Sequence, residues 1–258
     1  MELVDTHCHL QFKALADNID KVMAGAQTAG VKRMLCVGTS LKDSQQAIAI
    51  AKKHDNVWAS VGAHPHDGAD FLKIPDAAKI LNKLSKLPRV VAIGEIGLDY
   101  FHENSSKIDQ QKILHAQIEA TLESGLPYIF HVRDAWADFW PIFDEYKIKK
   151  GVIHSFSSGP KQLNHVLSRG LVVGLNGIMT FTKDQSQLEA AKMVPLDKLL
   201  VETDSPFLAP VPYRGQTCEP KHVADTARFL ADLKDMTLQD LAVATTANAI
   251  KLFGLKND

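Results

Sequence analysis

Short apolar runs alternate with longer amphipathic segments, and the alternation repeats along the whole chain. This pattern predicts an α/β protein folded as a single (β/α)8 barrel with an extra C-terminal helix. The apolar runs are nearly continuous, as expected of parallel strands that are buried on both faces. Because no Pro-, Gly- or Ser-rich linker divides residues 1–258, we expect one domain.

The predicted strands are short and rich in β-branched and aliphatic residues. In chain order they cover residues 3–5, 31–37, 57–61, 90–93, 128–130, 152–153, 171–174 and 199–201. The predicted helices each place apolar residues on one face. They cover residues 17–29, 41–53, 77–86, 107–123, 135–146, 161–169, 185–193, 223–233 and 238–253. The last of these helices is the extra one.

The alternative architecture is an open, doubly wound sheet that binds a nucleotide. Such a sheet carries a Gly-rich turn after its first strand, whereas residues 6–10 here read THCHL. The barrel is therefore the better interpretation. The least regular stretch, residues 205–221, contains four prolines and follows the last strand, so we expect it to close over the barrel mouth.

Composition limits the classes of partner. With 45% hydrophobic residues the chain can bury a large core, and its formal net charge of −1 argues against wrapping extended duplex DNA. The three cysteines are far apart with no CxxC pair, which indicates a reducing, cytoplasmic compartment. No signal peptide is visible, no apolar run reaches the ~18 residues of a membrane span, and nothing indicates an obligate protein partner.

Imidazole and carboxylate groups follow several of the predicted strands. Because the carboxyl ends of parallel strands meet at one edge of a barrel, we expect these side chains to lie close together. The pattern predicts a metal site assembled from distant segments. The residues are His7, His9, Glu95, His131, His154 and Asp204.

The first two histidines illustrate the geometry. His7 and His9 are two residues apart in an extended segment, so they share a face while Cys8 points to the other. A single histidine in a strand is more often a packed core residue, and Glu95 has an alternative ion-pair partner in Arg133. The joint occurrence of six ligands favours the metal site over these separate explanations.

The ligand types indicate how many ions bind. Nitrogen and oxygen ligands without thiolates, together with a carboxylate that can bridge, favour two divalent ions over one closed structural zinc. Glu95 is the candidate bridge, and Asp204 is the candidate acceptor of a proton from water, so these two are the predicted catalytic residues. Asp99 is expected to orient a ligand rather than bind metal itself.

Three further residues are candidates for substrate binding. His64, in GAHPH, faces the predicted mouth, although a packed histidine beside Pro65 is an equal alternative. Arg133 lies two residues after His131 and is a candidate clamp for a phosphate; an ion pair with a nearby carboxylate is the alternative. Arg214, in the 205–221 loop, either reaches the site or remains a solvated loop residue.

At these positions the chain resembles the TatD family of metal-dependent deoxyribonucleases, within the amidohydrolase-like TIM barrels. The motifs are specific for the family rather than for a substrate. They are DTHCHL (5–10), GAHPH (62–66), GEIGLDY (94–100), HVRDA (131–135), HSFSSG (154–159), ETDSP (202–206), PYRG (212–215) and NAIKLFGL (248–255). Cys218 departs from the family, in which an Asn is common at this position.

The resemblance implies a metal held by His7, His9, Glu95 and Asp204, and a second held by Glu95, His131 and His154. It also implies cleavage of DNA from a 3′ end with Mg²⁺, with Mn²⁺ or Zn²⁺ as alternatives. An ester or amide hydrolase, such as a D-aminoacyl-tRNA deacylase, remains the second hypothesis, because the same activated water would attack a carbonyl. A non-catalytic metal-binding scaffold is the third.

Overall fold

The computed structural model describes residues 1–102 and 104–255, and within them eight parallel strands pair in chain order, β1 to β8. The predicted (β/α)8 fold is confirmed. The strands are β1 (Leu3–Cys8), β2 (Val31–Val37), β3 (Val57–Val61), β4 (Val90–Asp99), β5 (Tyr128–Arg133), β6 (Gly151–Ile153), β7 (Val172–Leu175) and β8 (Leu199–Val201).

The described residues also form eleven α-helices, two of which, α1 and α4, are short additions to the predicted set. The helices are α1 (Lys13–Ala16), α2 (Ile19–Thr28), α3 (Leu41–Lys53), α4 (Gly68–Lys73), α5 (Ala77–Ser85), α6 (Lys107–Thr121), α7 (Trp136–Glu145), α8 (Pro160–Ser168), α9 (Gln185–Met193), α10 (Val223–Leu233) and α11 (Leu238–Phe253). Across the described part of the chain, no helix has the length and apolar character that a membrane crossing requires.

Backbone hydrogen bonds join the end of β1 to the segment after β8. The N–H of Asp204 donates to the carbonyl of His7 at 2.8 Å, and the N–H of His9 donates to Ser205 at 2.7 Å. Cys8 and Ser205 form a parallel bridge between these contacts. The predicted neighbourhood of the first and last strands is therefore present, and it brings Asp204 beside the two N-terminal histidines.

Four strands, β1, β4, β5 and β6, are longer than predicted, which corrects the sequence-based boundaries. β1, β4 and β5 run through His7, Glu95 and His131, which the sequence pattern had placed after the strands. In β4 the sequence pattern is misleading because glycines such as Gly94 and Gly97 often mark the end of a strand. Both glycines instead lie within the strand at φ 149°, and a Cβ on Gly97 would overlap the carbonyl oxygen of His131.

The inside of the barrel is filled by apolar side chains. Val4, Trp58, Ile129 and Leu200, from four different strands, belong to one buried cluster that also includes Phe253 of α11. Helix α11 therefore packs on the barrel and completes this interior cluster. The polar residues lie at the carboxyl ends of the strands, where the interior gives way to a cavity.

Candidate metal centre

The six predicted ligands converge at the mouth of the barrel. Five of them line a cavity of about 600 Å³, and His7 lies completely buried beneath it. The apolar part of the cavity wall comes from Phe12, Ile178, Phe207 and Leu208. Phe207 and Leu208 belong to the 205–221 loop, so the start of that loop does border the mouth.

The Glu95 carboxylate divides the imidazoles into two groups. Its Oε2 lies 3.3 Å from Nε2 of His7, on the side of β1. Its Oε1 lies 2.9 Å from Nδ1 of His131 and 2.9 Å from Nε2 of His154, on the side of β5 and β6. Nε2 of His64 is also within reach of Oε1, at 3.5 Å. Each oxygen of this one carboxylate therefore faces a separate set of ring nitrogens.

Asp204 completes the group on the side of β1. Its Oδ1 lies 3.3 Å from Nε2 of His9 and 3.6 Å from Nε2 of His7. Nδ1 of His9 donates a hydrogen bond to the carbonyl of Val37 at 2.8 Å. Because this bond uses the proton of the neutral ring, it leaves the Nε2 lone pair pointing toward Asp204, as a metal ligand requires.

Asp99 hydrogen-bonds to the side of the His131 ring that faces away from Glu95. Nε2 of His131 donates to Oδ2 of Asp99 at 3.0 Å, while Nδ1 faces Glu95. Gln110 fixes the backbone of Asp99, because its side chain accepts from the N–H and donates to the carbonyl of that residue. A carboxylate that orients a ligating histidine in this way is common in metal sites. The arrangement fits the orienting role that the sequence indicates for Asp99.

A second orienting carboxylate, Glu202, was missed by the sequence reasoning. It is buried, and its Oε1 lies 3.2 Å from Nδ1 of His154 and accepts the N–H of Ser155 at 2.6 Å. Room for it exists because Gly174 has no side chain; a Cβ there would overlap the Glu202 carboxylate. The available signal was the sequence LLVET, in which a carboxylate directly follows a buried strand and must have a partner.

The electrostatics of the site favour ionised carboxylates. Burial alone would raise the pKa of Glu95, but the imidazoles of His154, His64 and His7 hold it well below its ordinary value. The pKa of Asp204 is lowered in the same way, against burial, chiefly by His9. Burial is likewise outweighed at His154, whose pKa is raised well above normal by Glu95 and Glu202.

The donor set fits a divalent cation. Among the residues that the structure describes, neither ring nitrogen of the fully buried His7 has a hydrogen-bond partner of good geometry. His131 and His154 each lie between two carboxylates, which only accept hydrogen bonds, so the ring and carboxylate must share either a proton or a cation. Oxygen and imidazole ligands at these separations suit Mg²⁺, Mn²⁺ or Zn²⁺.

The predicted substrate-binding residues lie in different places. His64 and Arg133 line the cavity, and the guanidinium of Arg133 lies 4.2 Å from the ring centre of the exposed Phe101. Arg214 is not among the described residues that line the cavity. Its Nη1 donates to the carbonyl of Ala209 at 2.9 Å, and its guanidinium covers the ring of Phe181. Its role in binding stays a prediction.

Comparisons with known proteins identify the family. The sequence model described as "TatD related DNase" matches residues 4–254 of the chain. The chain belongs to the TatD family. The metal-dependent hydrolase YcfH of Escherichia coli (strain K12) is 39% identical over 258 residues, which cover 98% of this chain and 96% of the relative.

Two further TatD relatives extend the comparison. A 3′-5′ ssDNA/RNA exonuclease TatD of Citrobacter rodentium is 33% identical over 260 residues, covering 98% of each chain. The solved structure of YjjV, a TatD homologue from Escherichia coli, superposes with a TM-score of 0.91 at 26% identity and covers 98% of both chains. The protein is therefore a metal-dependent hydrolase with the TIM-barrel fold of the TatD family.

Proposed function

We propose that this protein is a TatD-type deoxyribonuclease that removes nucleotides from single-stranded 3′ ends with two divalent ions. The division of the Glu95 oxygens between two groups of imidazoles is the observation that carries the proposal. A carboxylate in this position can bridge two ions, and two-metal sites are typical of phosphodiester hydrolysis. A relative named as a 3′-5′ ssDNA/RNA exonuclease supports the reaction class.

Two sets of side chains would hold the ions. One ion belongs with Glu95 and the group beside β1, and the other belongs with Glu95 and the group at β5 and β6. Bound there, the ions supply an activated water and positive charge for the phosphoryl oxygens. We expect Mg²⁺, with Mn²⁺ or Zn²⁺ as alternatives. The first set is His7, His9, Glu95 and Asp204, and the second is Glu95, His131 and His154.

Asp204 has the properties of a proton acceptor. The Asp204 side chain is 16% exposed, whereas that of His9 is 3% exposed, and Asp204 borders the cavity. Its lowered pKa keeps the carboxylate ionised at neutral pH. A general base must be both charged and within reach of water, so Asp204 is the proposed acceptor of the proton from the attacking water.

The cavity wall also suits a single-stranded nucleic acid. Arg133 brings a guanidinium to the cavity, where it can bind a phosphate next to the scissile bond. The exposed ring of Phe207, which lines the cavity, and that of Phe101, which lies beside Arg133, have 52% and 58% of their surface accessible and offer faces for unpaired bases. With a net charge of −1, the chain has no general attraction for duplex DNA, so contacts near the cavity must supply the affinity.

The proposal extends to the protein as a whole. We infer that residues 1–258 act as one hydrolase domain. We also propose a cytoplasmic location, which is supported by three cysteines that are all free and buried, as expected in a reducing compartment. His64 at the cavity and Arg214 in the 205–221 loop are retained as candidate substrate contacts.

One experiment separates the proposed nuclease from the ester or amide hydrolase. Metal-loaded protein is incubated side by side with 3′-labelled single-stranded DNA and with an aminoacylated RNA. Release of labelled mononucleotide from the DNA supports the proposal. Rapid release of the amino acid without cleavage of the DNA would replace the proposal with the deacylase.

A further inference from the structure

A second group of potential ligands lies at the rim of the cavity, outside the six residues of the candidate metal centre. His66 belongs to the short turn Pro65–Asp67 after β3, and His102 follows the end of β4. Nε2 of His66 and Nδ1 of His102 each lie 3.0 Å from Oδ2 of Asp99. All three ligand atoms are within 4.8 Å of one another, a spacing that a single metal ion can span.

The Asp99 carboxylate has more donors than it can accept. Oδ1 accepts the backbone N–H groups of Phe101 and His102, both at 3.0 Å. Oδ2 faces three imidazole nitrogens at 3.0 Å, from His66, His102 and His131. A carboxylate oxygen has about two acceptor positions, so Oδ2 cannot accept three good hydrogen bonds at once.

A cation resolves this conflict. His131 donates to one lone pair of Oδ2, and an ion on the other lone pair would take the lone pairs of the two remaining rings. The ring centres of His66 and His102 are 5.1 Å apart and nearly perpendicular, so the two rings approach Asp99 from different directions. Two loops that follow neighbouring strands thus bring two ring nitrogens to one buried carboxylate oxygen.

We propose that Nε2 of His66, Oδ2 of Asp99 and Nδ1 of His102 form a third divalent-cation site, separate from the two-metal centre. Two imidazoles and one carboxylate are a donor set that Zn²⁺ binds readily. The carboxylate of Asp99 connects this site to the inner centre, because the same oxygen accepts from His131.

The position of the site indicates what its ion does. The side chains of His66 and His102 are 28% and 45% exposed, and all three ligand residues line the cavity. Three protein ligands leave coordination positions open, as in sites that bind water or substrate. The third ion would bind a substrate phosphate at the cavity entrance; this role rests on the proposed nuclease function, whereas the metal site itself does not.

The test is ion occupancy rather than turnover. Wild-type protein and the variants His66→Ala and His102→Ala are dialysed against the same free Zn²⁺, and the bound metal is measured by elemental analysis. His165→Ala is the matched control, because His165 is an exposed histidine on α8. We expect each rim variant to bind about one equivalent less than the wild type and the control. Equal zinc content in all four proteins would overturn the proposal.

Crystals of the wild-type protein soaked in Zn²⁺ provide an independent measurement that does not depend on the folding of a variant. With data collected at the zinc edge, we expect an anomalous peak within about 2.3 Å of the three ligand atoms. Inner peaks without the rim peak would overturn the third site and leave the proposed function standing. A rim peak without inner peaks would support the third site and overturn the proposed two-metal function.

Discussion

Nε2 of His154 lies 2.9 Å from Oε1 of Glu95, although Glu95 lies in β4 and His154 follows β6, with β5 between these two strands. The other oxygen of Glu95 faces His7 at 3.3 Å. One buried carboxylate therefore contacts imidazoles on both sides of the barrel mouth. Any change at Glu95 is expected to affect both halves of the candidate metal centre.

Glu95→Gln keeps the size of the side chain and removes its charge, so both ions should bind more weakly. Loss of groups that merely orient a ligand costs about 10–100-fold in metal affinity, and we expect at least this loss here. Titration with Mn²⁺ measures the affinity. Glu189→Gln, at an exposed position on α9, is the matched control and should behave as the wild type. Unchanged affinity in Glu95→Gln would remove this residue from the ligand set.

Asp204→Asn preserves shape while removing the proposed proton acceptor and one anionic ligand. Loss of a general base lowers the rate by a factor on the order of 10²–10⁴, and we expect kcat to fall by at least this factor. The backbone N–H of Asp204, which bonds to His7, is unchanged, so circular dichroism should report a native fold. Turnover close to that of the wild type would exclude Asp204 from the mechanism.

Removal of divalent ions should abolish activity without unfolding the protein. The interior cluster is apolar, and the contact between β1 and the segment after β8 is made by backbone hydrogen bonds. Stability from these sources does not need an ion. After exhaustive chelation we expect an unchanged circular dichroism spectrum and activity that returns when Mg²⁺ or Mn²⁺ is added. Global unfolding, or activity that persists without metal, contradicts this expectation.

The sequence was sufficient for the fold and for the convergence of the six candidate ligands. Strand alternation correctly separates His7 and His9 from Cys8, whose thiol donates to the carbonyl of Leu35. The prediction works because parallel strands in a barrel all place their carboxyl ends at one mouth. Residues at strand ends can therefore be grouped in space without knowledge of side-chain packing.

The side chains that orient the candidate ligands by hydrogen bonding were harder to predict. Glu202 reaches His154 because its side chain adopts a particular rotamer and because Gly174 leaves space for it. A sequence pattern records neither of these features. His102 meets His66 because two loops bend toward Asp99. Loop conformation and rotamer choice depend on tertiary packing, and these are the features that hydrophobic periodicity does not contain.

Arg133→Ala should weaken substrate binding more than it changes metal content. A hydrogen bond to a charged group contributes about 1.5–3 kcal/mol, so loss of a phosphate contact is expected to raise KM by roughly 10- to 100-fold. Arg228→Ala is the control, because Arg228 is an exposed residue of α10 whose ion pair is with Asp225. A large loss of bound metal in Arg133→Ala would instead indicate a structural role in the metal centre.

The most direct test of the proposed function is a time course on a single-stranded oligonucleotide labelled at its 5′ end, with metal-loaded protein. The account predicts a ladder of labelled products that shortens stepwise from the 3′ end, with slower cleavage of a blunt duplex of the same sequence. The entrance is a cavity at a barrel mouth, which a flexible strand reaches more easily than a rigid double helix. Internal cuts in a circular single strand, or no cleavage of either DNA, would contradict it.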